Sequence, residues 1–218
     1  MRQLRAAQRI AGPSGLSTRH AFFRREALRR LEEAVELDPK MTAAWTLIAK
    51  LNSLPGGDRD AAVEAIGNAI KQAAGDPELL SEALVLRAKL AAKENPDAAL
   101  ADVNQAVKID DSNLEARGMR AAFYLRNGKI QAAIDDTDKL MQLRDPTFDM
   151  WLKQAAVMSQ LSVDLERMGE SGDDPGAADN LAILREAAVR YADRASEIDP
   201  ENPAPAMLKA KLYLTEEK

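Results

Sequence analysis

The chain has 218 residues, 46% of them hydrophobic but only 4% aromatic, so it can bury a core, one built from small side chains instead of the aromatics and β-branched residues typical of sheets. It has no cysteine, which removes disulfides, thiolate metal sites and cysteine nucleophiles, and a single histidine, His20, through which any His-based zinc site or Ser-His-Asp triad would have to pass. With a net charge of −5 and no apolar run of about 18 residues, it lacks the basic footprint of a nonspecific nucleic-acid binder and any segment that reads as a membrane-spanning helix.

Residues 1–16 read as a basic N-terminal segment or short helix. The first 30 residues carry eight arginines and one acid, Glu26, which leaves the remainder near −12. There is no secretory apolar region. The acid-free, arginine-rich start resembles a mitochondrial transit peptide, but a helix whose basic face is solvated or packed on something else is the preferred reading. Gly12-Pro13-Ser14-Gly15 is expected to break any helix before Ser17.

From 17 onward one feature recurs: small residues at i and i+7 on a helix, then an apolar residue, Asp and usually Pro. The first unit, 17–39, has Ala27 and Ala34 and ends Leu37-Asp38-Pro39. The second, 40–76, opens with a helical stretch from Thr42 to Leu54, turns at Pro55-Gly56-Gly57, and has Ala62 and Ala69. The third, 77–111, opens with Glu78 to Lys93, turns at Asn95-Pro96, and has Ala99 and Ala106 before Ile109-Asp110-Asp111. The fourth, 112–146, opens with Leu114 to Arg126, turns at Asn127-Gly128, and has Ala133 and Leu140 before Asp145-Pro146. The fifth, 147–200, opens with Phe148 to Met168, has an inserted loop around Ser171 to Asn180, and carries Ala188 and Ala195 before Ile198-Asp199-Pro200. A terminal helix covers 203–215.

Residues seven apart lie two turns apart on one helix face, and a small residue there leaves room for a neighbouring helix. The residue before proline is pushed out of the α region, so Asp-Pro stops one helix. Asp can then cap the next, with Pro in its first turn. The pattern predicts an all-α chain of tandem antiparallel helix hairpins that stack on one another.

Candidate chemistry is sparse. Asp135, Asp136 and Asp138 have neither the spacing nor the second motif of a DDxxD magnesium site, and read as a solvated helix face. Gly172-Asp173-Asp174-Pro175-Gly176 lacks the alternating ligands and closing glutamate of a calcium loop, and reads as a flexible turn. His20 has no acid-base partner nearby in sequence. No GxxxxGK[ST], GxSxG or HExxH motif is present. No catalytic residue, metal ligand or cofactor site is expected, and the chain is read as a non-enzyme. Trp45 and Trp151 read as inter-helix packing residues whose removal would cost about 3–5 kcal/mol.

Trp45 with Ala49, Trp151 with Ala155, and Ala27, Leu31, Ala34 and Pro39 together resemble the tetratricopeptide repeat, over roughly residues 17–210 and through recurrence instead of any one perfect repeat. The resemblance implies a single TPR-like α-solenoid, a right-handed superhelix whose leading helices line a concave partner-binding face. Carried onto this chain, that face would hold Thr46, Lys50, Val85, Lys89, Lys93, Ala122, Arg126, Leu152, Ala156 and Gln160. Its lysines and arginine suggest an acidic peptide or C-terminal carboxylate; ordinary solvated lysines are the alternative. The asparagines of a chaperone-tail clamp are absent, their places held by residues such as Leu47, Leu86 and Met119. The expected function is a protein–protein interaction scaffold that binds a peptide or helix. An accessory repeat domain of a larger protein, self-associating through its ends, is the second reading, and an RNA-binding helical repeat a weaker third. No nucleic-acid or membrane partner is expected, and the location is cytoplasmic by default.

Overall fold

The computed structural model describes residues 13–73, 75–169 and 176–216. Among them the regular structure is ten helices: α1 (Pro13–Leu37), α2 (Thr42–Ser53), α3 (Arg59–Gln72), α4 (Pro77–Ala91), α5 (Pro96–Ile109), α6 (Leu114–Arg126), α7 (Ile130–Gln142), α8 (Phe148–Gly169), α9 (Ala177–Ile198) and α10 (Ala204–Glu216). The chain forms two compact units, Met1–Ala116 and Arg117–Lys218, with the boundary inside α6. No described helix is long and apolar enough to cross a membrane.

In the first unit α2 pairs with α3 and α4 with α5, while α1 packs on α2, and α4 packs on both α2 and α3. Ser81, early in α4, donates to the Ala106 carbonyl late in α5, so that pair is antiparallel. The core gathers Val35, Ala44, Ile48, Ala49, Ala65, Ile66 and Leu86, with Leu28, Leu31 and Trp45 against it. In the second unit α8 pairs with α9, α10 packs on both, and α7 lies against α9. Trp151, early in α8, meets Tyr191, late in α9, at 5.5 Å between ring centres, which makes this pair antiparallel too. Ile134, Met158, Leu184, Tyr191 and Leu212 fill this core. We call α2, α4, α6, α8 and α10 the leading helices and α1, α3, α5, α7 and α9 the trailing ones.

The alanine pairs explain how the helices approach. Ala62, Ala69, Ala99, Ala106, Ala133, Ala188 and Ala195, all on trailing helices, are 0% exposed. Ala27 and Ala34 of α1 are only half-buried.

Caps and turns follow local chemistry. Asp76 accepts from the Leu79 N–H, with Pro77 in the first turn of α4; Asn95 and Pro96 do the same for α5, and Asp58 caps α3. Elsewhere the dual role expected of Asp-Pro does not hold. Asp38-Pro39 follows the end of α1, yet α2 starts at Thr42 with no side-chain cap. Asp199-Pro200 follows α9, and it is Asn202 that accepts from the Ala204 N–H at the start of α10. Each Pro here sits before an intervening turn, so Asp terminates without capping. The expected break at Pro13-Ser14-Gly15 is also corrected: all three lie in α1, since proline suits a first helical turn and one glycine costs only about 1 kcal/mol. In the α2–α3 turn Gly56 has φ +73°, and a Cβ on Gly57 would lie 2.1 Å from the Asn52 carbonyl oxygen, so both positions require glycine. Position 12 and residues 171–175 of the expected inserted loop fall outside the described residues, and the rest of that loop is corrected: Ala177, Ala178, Asp179 and Asn180 form the first turn of α9.

Candidate functional site

The leading helices carry the predicted partner-binding residues, and the structure divides them. Thr46 and Val85 are corrected: at 2% and 0% exposed they belong to the interior, turned inward by the packing of α4 on α2 and α3, and cannot meet a partner. The Thr46 hydroxyl has no hydrogen-bond partner there. In the first unit Lys50 is half-buried, while Lys89 and Lys93 are exposed. In the second unit Ala122, Arg126, Ala156 and Gln160 are exposed and Leu152 is half-buried.

The basic bias seen in sequence is largely neutralised. Lys50 of α2 pairs with Glu82 of α4, and Lys89 of α4 pairs with Glu115 of α6 at 2.5 Å. Both α2 and α4 thus send a lysine from their second half to a glutamate in the first half of the next leading helix. The first unit presents a ladder of alternating charge, not a row of lysines. Glu82 and Glu115 were the missed members; each lies one leading helix further along from its lysine, a register the repeat itself supplies. Lys93 and Arg126 have no ion-pair partner among the described residues. Gln160 donates to Asp164 on its own helix at 2.9 Å.

A second set of pairs lies between the helices of a hairpin. Arg87 of α4 grips Asp102 of α5 with two bonds of 2.7 and 2.6 Å. Arg120 of α6 grips Asp136 of α7 in the same way, joined by Arg117 at 3.2 Å. These carboxylate hydrogen bonds raise both the Arg87 and the Arg120 guanidinium above the usual arginine range. Asp136 is 3% exposed, so the reading of the acidic cluster as a solvated face is corrected there. It holds for Asp135, which is exposed and bonded to Gln131. Asp138 accepts from the Tyr191 hydroxyl and from Arg190, both at 2.7 Å. Burial, then the bond to the Asp138 carboxylate, pushes the Tyr191 phenol well above its ordinary range. A spacing of 15 or 16 residues between Arg and Asp, repeated in two consecutive hairpins, was the available signal for these pairs.

Among the described residues no group of three or more His, Cys, Asp or Glu side chains could hold a metal ion. An open trough of about 780 Å³ runs along α9, lined by Leu181, Ala182 and Val189 and by Leu212 and Tyr213 of α10.

No family model and no curated protein matches this sequence. Solved structures do match in fold. The crystal structure of MamA is similar with a TM-score of 0.54 at 14% identity, covering 85% of this chain and 91% of that one. IFIT1, as a monomeric mutant with Gppp-AAAA, is similar with a TM-score of 0.50 at 15% identity, covering 89% of this chain and 43% of that one. TTC0263, a thermophilic TPR protein in Thermus thermophilus, aligns over 93% of this chain and 96% of its own at 18% identity, with a TM-score of 0.44. At such identities the likeness is one of fold. The antiparallel hairpins and the buried alanine pairs, together with the likeness to MamA and IFIT1, give this chain the all-α, TPR-like helical-repeat fold.

Proposed function

We propose that the chain is a non-catalytic protein-interaction scaffold that takes a peptide or helix against the exposed surfaces of its leading helices. The observation that carries this reading is the charged ladder Lys50–Glu82 and Lys89–Glu115, which leaves an ordered, solvent-facing row of polar groups on helices whose opposite sides are packed. The interior arginines and carboxylates are spent in structural pairs and form no nucleophile–base arrangement. Because the ladder satisfies two of the four cations first picked out, Lys93 in the first unit and, separately, Arg126 in the second are the cations left to read an acidic ligand. The test is affinity capture by the full chain beside a Lys93→Glu/Arg126→Glu variant that circular dichroism shows to be folded. Loss of a captured protein in the variant supports the reading; unchanged capture refutes it.

Self-association is the second reading, favoured by the trough along α9 and by exposed Met207, Tyr213 and Leu214 on α10. A sedimentation coefficient that does not change with concentration would remove it. RNA binding draws only on the fold shared with the Gppp-AAAA-bound structure. The neutralised ladder opposes it, and titration with Gppp-AAAA and with uncapped oligoadenylate is expected to show no salt-sensitive binding.

A further inference from the structure

Two hairpins of this chain seat an arginine between their helices at a fixed place. The arginine stands one residue before an alanine of the leading helix, and its acid three residues after the first alanine of the trailing helix. Arg87 precedes Ala88 and meets Asp102, three after Ala99; Arg120 precedes Ala121 and meets Asp136, three after Ala133. In the α2–α3 hairpin the same places hold Ile48, before Ala49, and Ala65, three after Ala62. Neither carries a charge, and both line an open cleft of about 240 Å³ to which α1, α2 and α3 contribute. A site for a drug-sized ligand measures roughly 300–1,000 Å³, so this one suits a single long side chain.

The polar lining of the cleft is acidic. Glu32 and Glu36 of α1 and Glu64 of α3 line it, all exposed and without an ion-pair partner among the described residues. Glu32 and Glu36 stand four apart on one helix, where like charges repel. Among the described residues no lysine or arginine lines the cleft. Elsewhere in the first unit Glu82, Glu94, Asp102 and Glu115 are each met by a cation from another helix. A second, independent observation is Asn52, in the last turn of α2. It lines the same cleft and is 7% exposed, yet its side-chain amide makes no hydrogen bond among the described residues. A buried carboxamide left without a partner costs stability, and its oxygen accepts from an N–H donor. Trp45 also lines the cleft, and indole is the best side-chain ring for stacking a cation. Val35 and Ile48 offer apolar contact to a methylene stem.

We propose that this cleft is a binding site for an arginine side chain, held by Glu32, Glu36 and Glu64, hydrogen-bonded by Asn52 and packed on Trp45. A guanidinium is favoured over an ammonium because it is planar, more weakly hydrated and presents several donors at once. It is also the group that this chain seats at the matching place in two other hairpins. Two sources carry that chemistry, an arginine of another molecule and Arg2, Arg5 or Arg9 of this chain, and the test separates them. The site shares no residue with the ladder Lys50–Glu82 and Lys89–Glu115, and its failure would leave the function proposed above untouched.

The probe is Nα-acetyl-arginine amide, with the lysine and citrulline amides as controls; citrulline keeps the shape of arginine without its charge. Binding to the isotope-labelled full chain is followed by NMR at the Trp45 indole N–H and the Asn52 side-chain amide. The arginine amide is expected to give saturable shifts at both, the lysine amide to bind about fivefold more weakly, and the citrulline amide not to bind. Glu32→Gln/Glu36→Gln and Glu64→Gln, all at exposed positions that tolerate the change, should each weaken binding about tenfold. Lys93→Glu/Arg126→Glu should leave it unchanged. An Arg2→Gln/Arg5→Gln/Arg9→Gln chain separates the sources. Equal binding by this chain and the native one assigns the site to an arginine of another molecule, and binding only after the substitutions assigns it to an arginine of this chain. Absence of saturable shifts in both chains, citrulline or lysine amide binding as tightly as arginine amide, or unaltered affinity in the Glu→Gln variants would overturn the proposal.

Discussion

Burial assigns different work to neighbouring carboxylates in 135–138. Asp135 is exposed and bonded to Gln131, Asp136 sits 3% exposed between two arginines, and Asp138 holds the Tyr191 hydroxyl. Removing Asp136 takes both carboxylate bonds from Arg120, whose side chain is only 20% exposed, and one bond from Arg117. Asp136→Ala is therefore expected to lower the free energy of urea unfolding by about 3 kcal/mol, and Asp135→Ala by no more than about 0.5 kcal/mol. Thr46 predicts the opposite sign. Its buried hydroxyl lacks a partner, so Thr46→Val should stabilise the fold by about 1 kcal/mol, measured the same way. Tyr191 gives a pH signature. Its phenol titrates higher in the folded state than in the unfolded one, so its stabilisation is complete below the ordinary tyrosine range and is lost as pH rises through the folded value. Unfolding titrations above about pH 10 should show stability falling by up to about 1.4 kcal/mol per pH unit from this group, and Tyr191→Phe should remove that component of the slope. The sequence reading puts Asp136 on a solvated face with Asp135 and Asp138, although its place three residues after Ala133 is on the packed side of α7. What it did not show was Arg120 arriving from the facing helix, which is what makes burial of that charge tolerable.

Among the elements, helix positions were legible and their couplings were not. The leading stretches expected from Thr42, Leu114 and Phe148 start at those residues, because the apolar period and the turn residues act locally. The burial of Thr46 and Val85, by contrast, is decided by the next helix along, as is the neutralising of Lys50 and Lys89 by Glu82 and Glu115. A face drawn from one helix at a time misses both. Glycines separate the same way. Gly67 lies inside α3 with nothing within 4 Å of where a Cβ would be, so Gly67→Ala should stabilise by about 1 kcal/mol through helix propensity alone. Gly57→Ala would drive a methyl into the Asn52 carbonyl and should cost about 2 kcal/mol or more. Thermal melts of the two variants should move in opposite directions.

Within each unit the described helices that pack on one another lie one or two apart in sequence, as in other repeat folds, where stability is approximately a sum of local interfaces. With no cysteine in the chain and no candidate metal cluster among the described residues, those interfaces carry the fold. A chelator such as EDTA is expected to leave the melting temperature unchanged; a drop would reveal a site outside the described residues.

The chain has two tryptophans, and they are divided evenly: Trp45 lies against the core of the first unit, its indole N–H on the Pro39 carbonyl, and Trp151 against that of the second, stacked near Tyr191. Each unit therefore contains its own optical reporter. A Trp45→Phe chain emits from the second unit alone and a Trp151→Phe chain from the first. The two single-tryptophan chains can follow the melting of each half separately, without an attached dye.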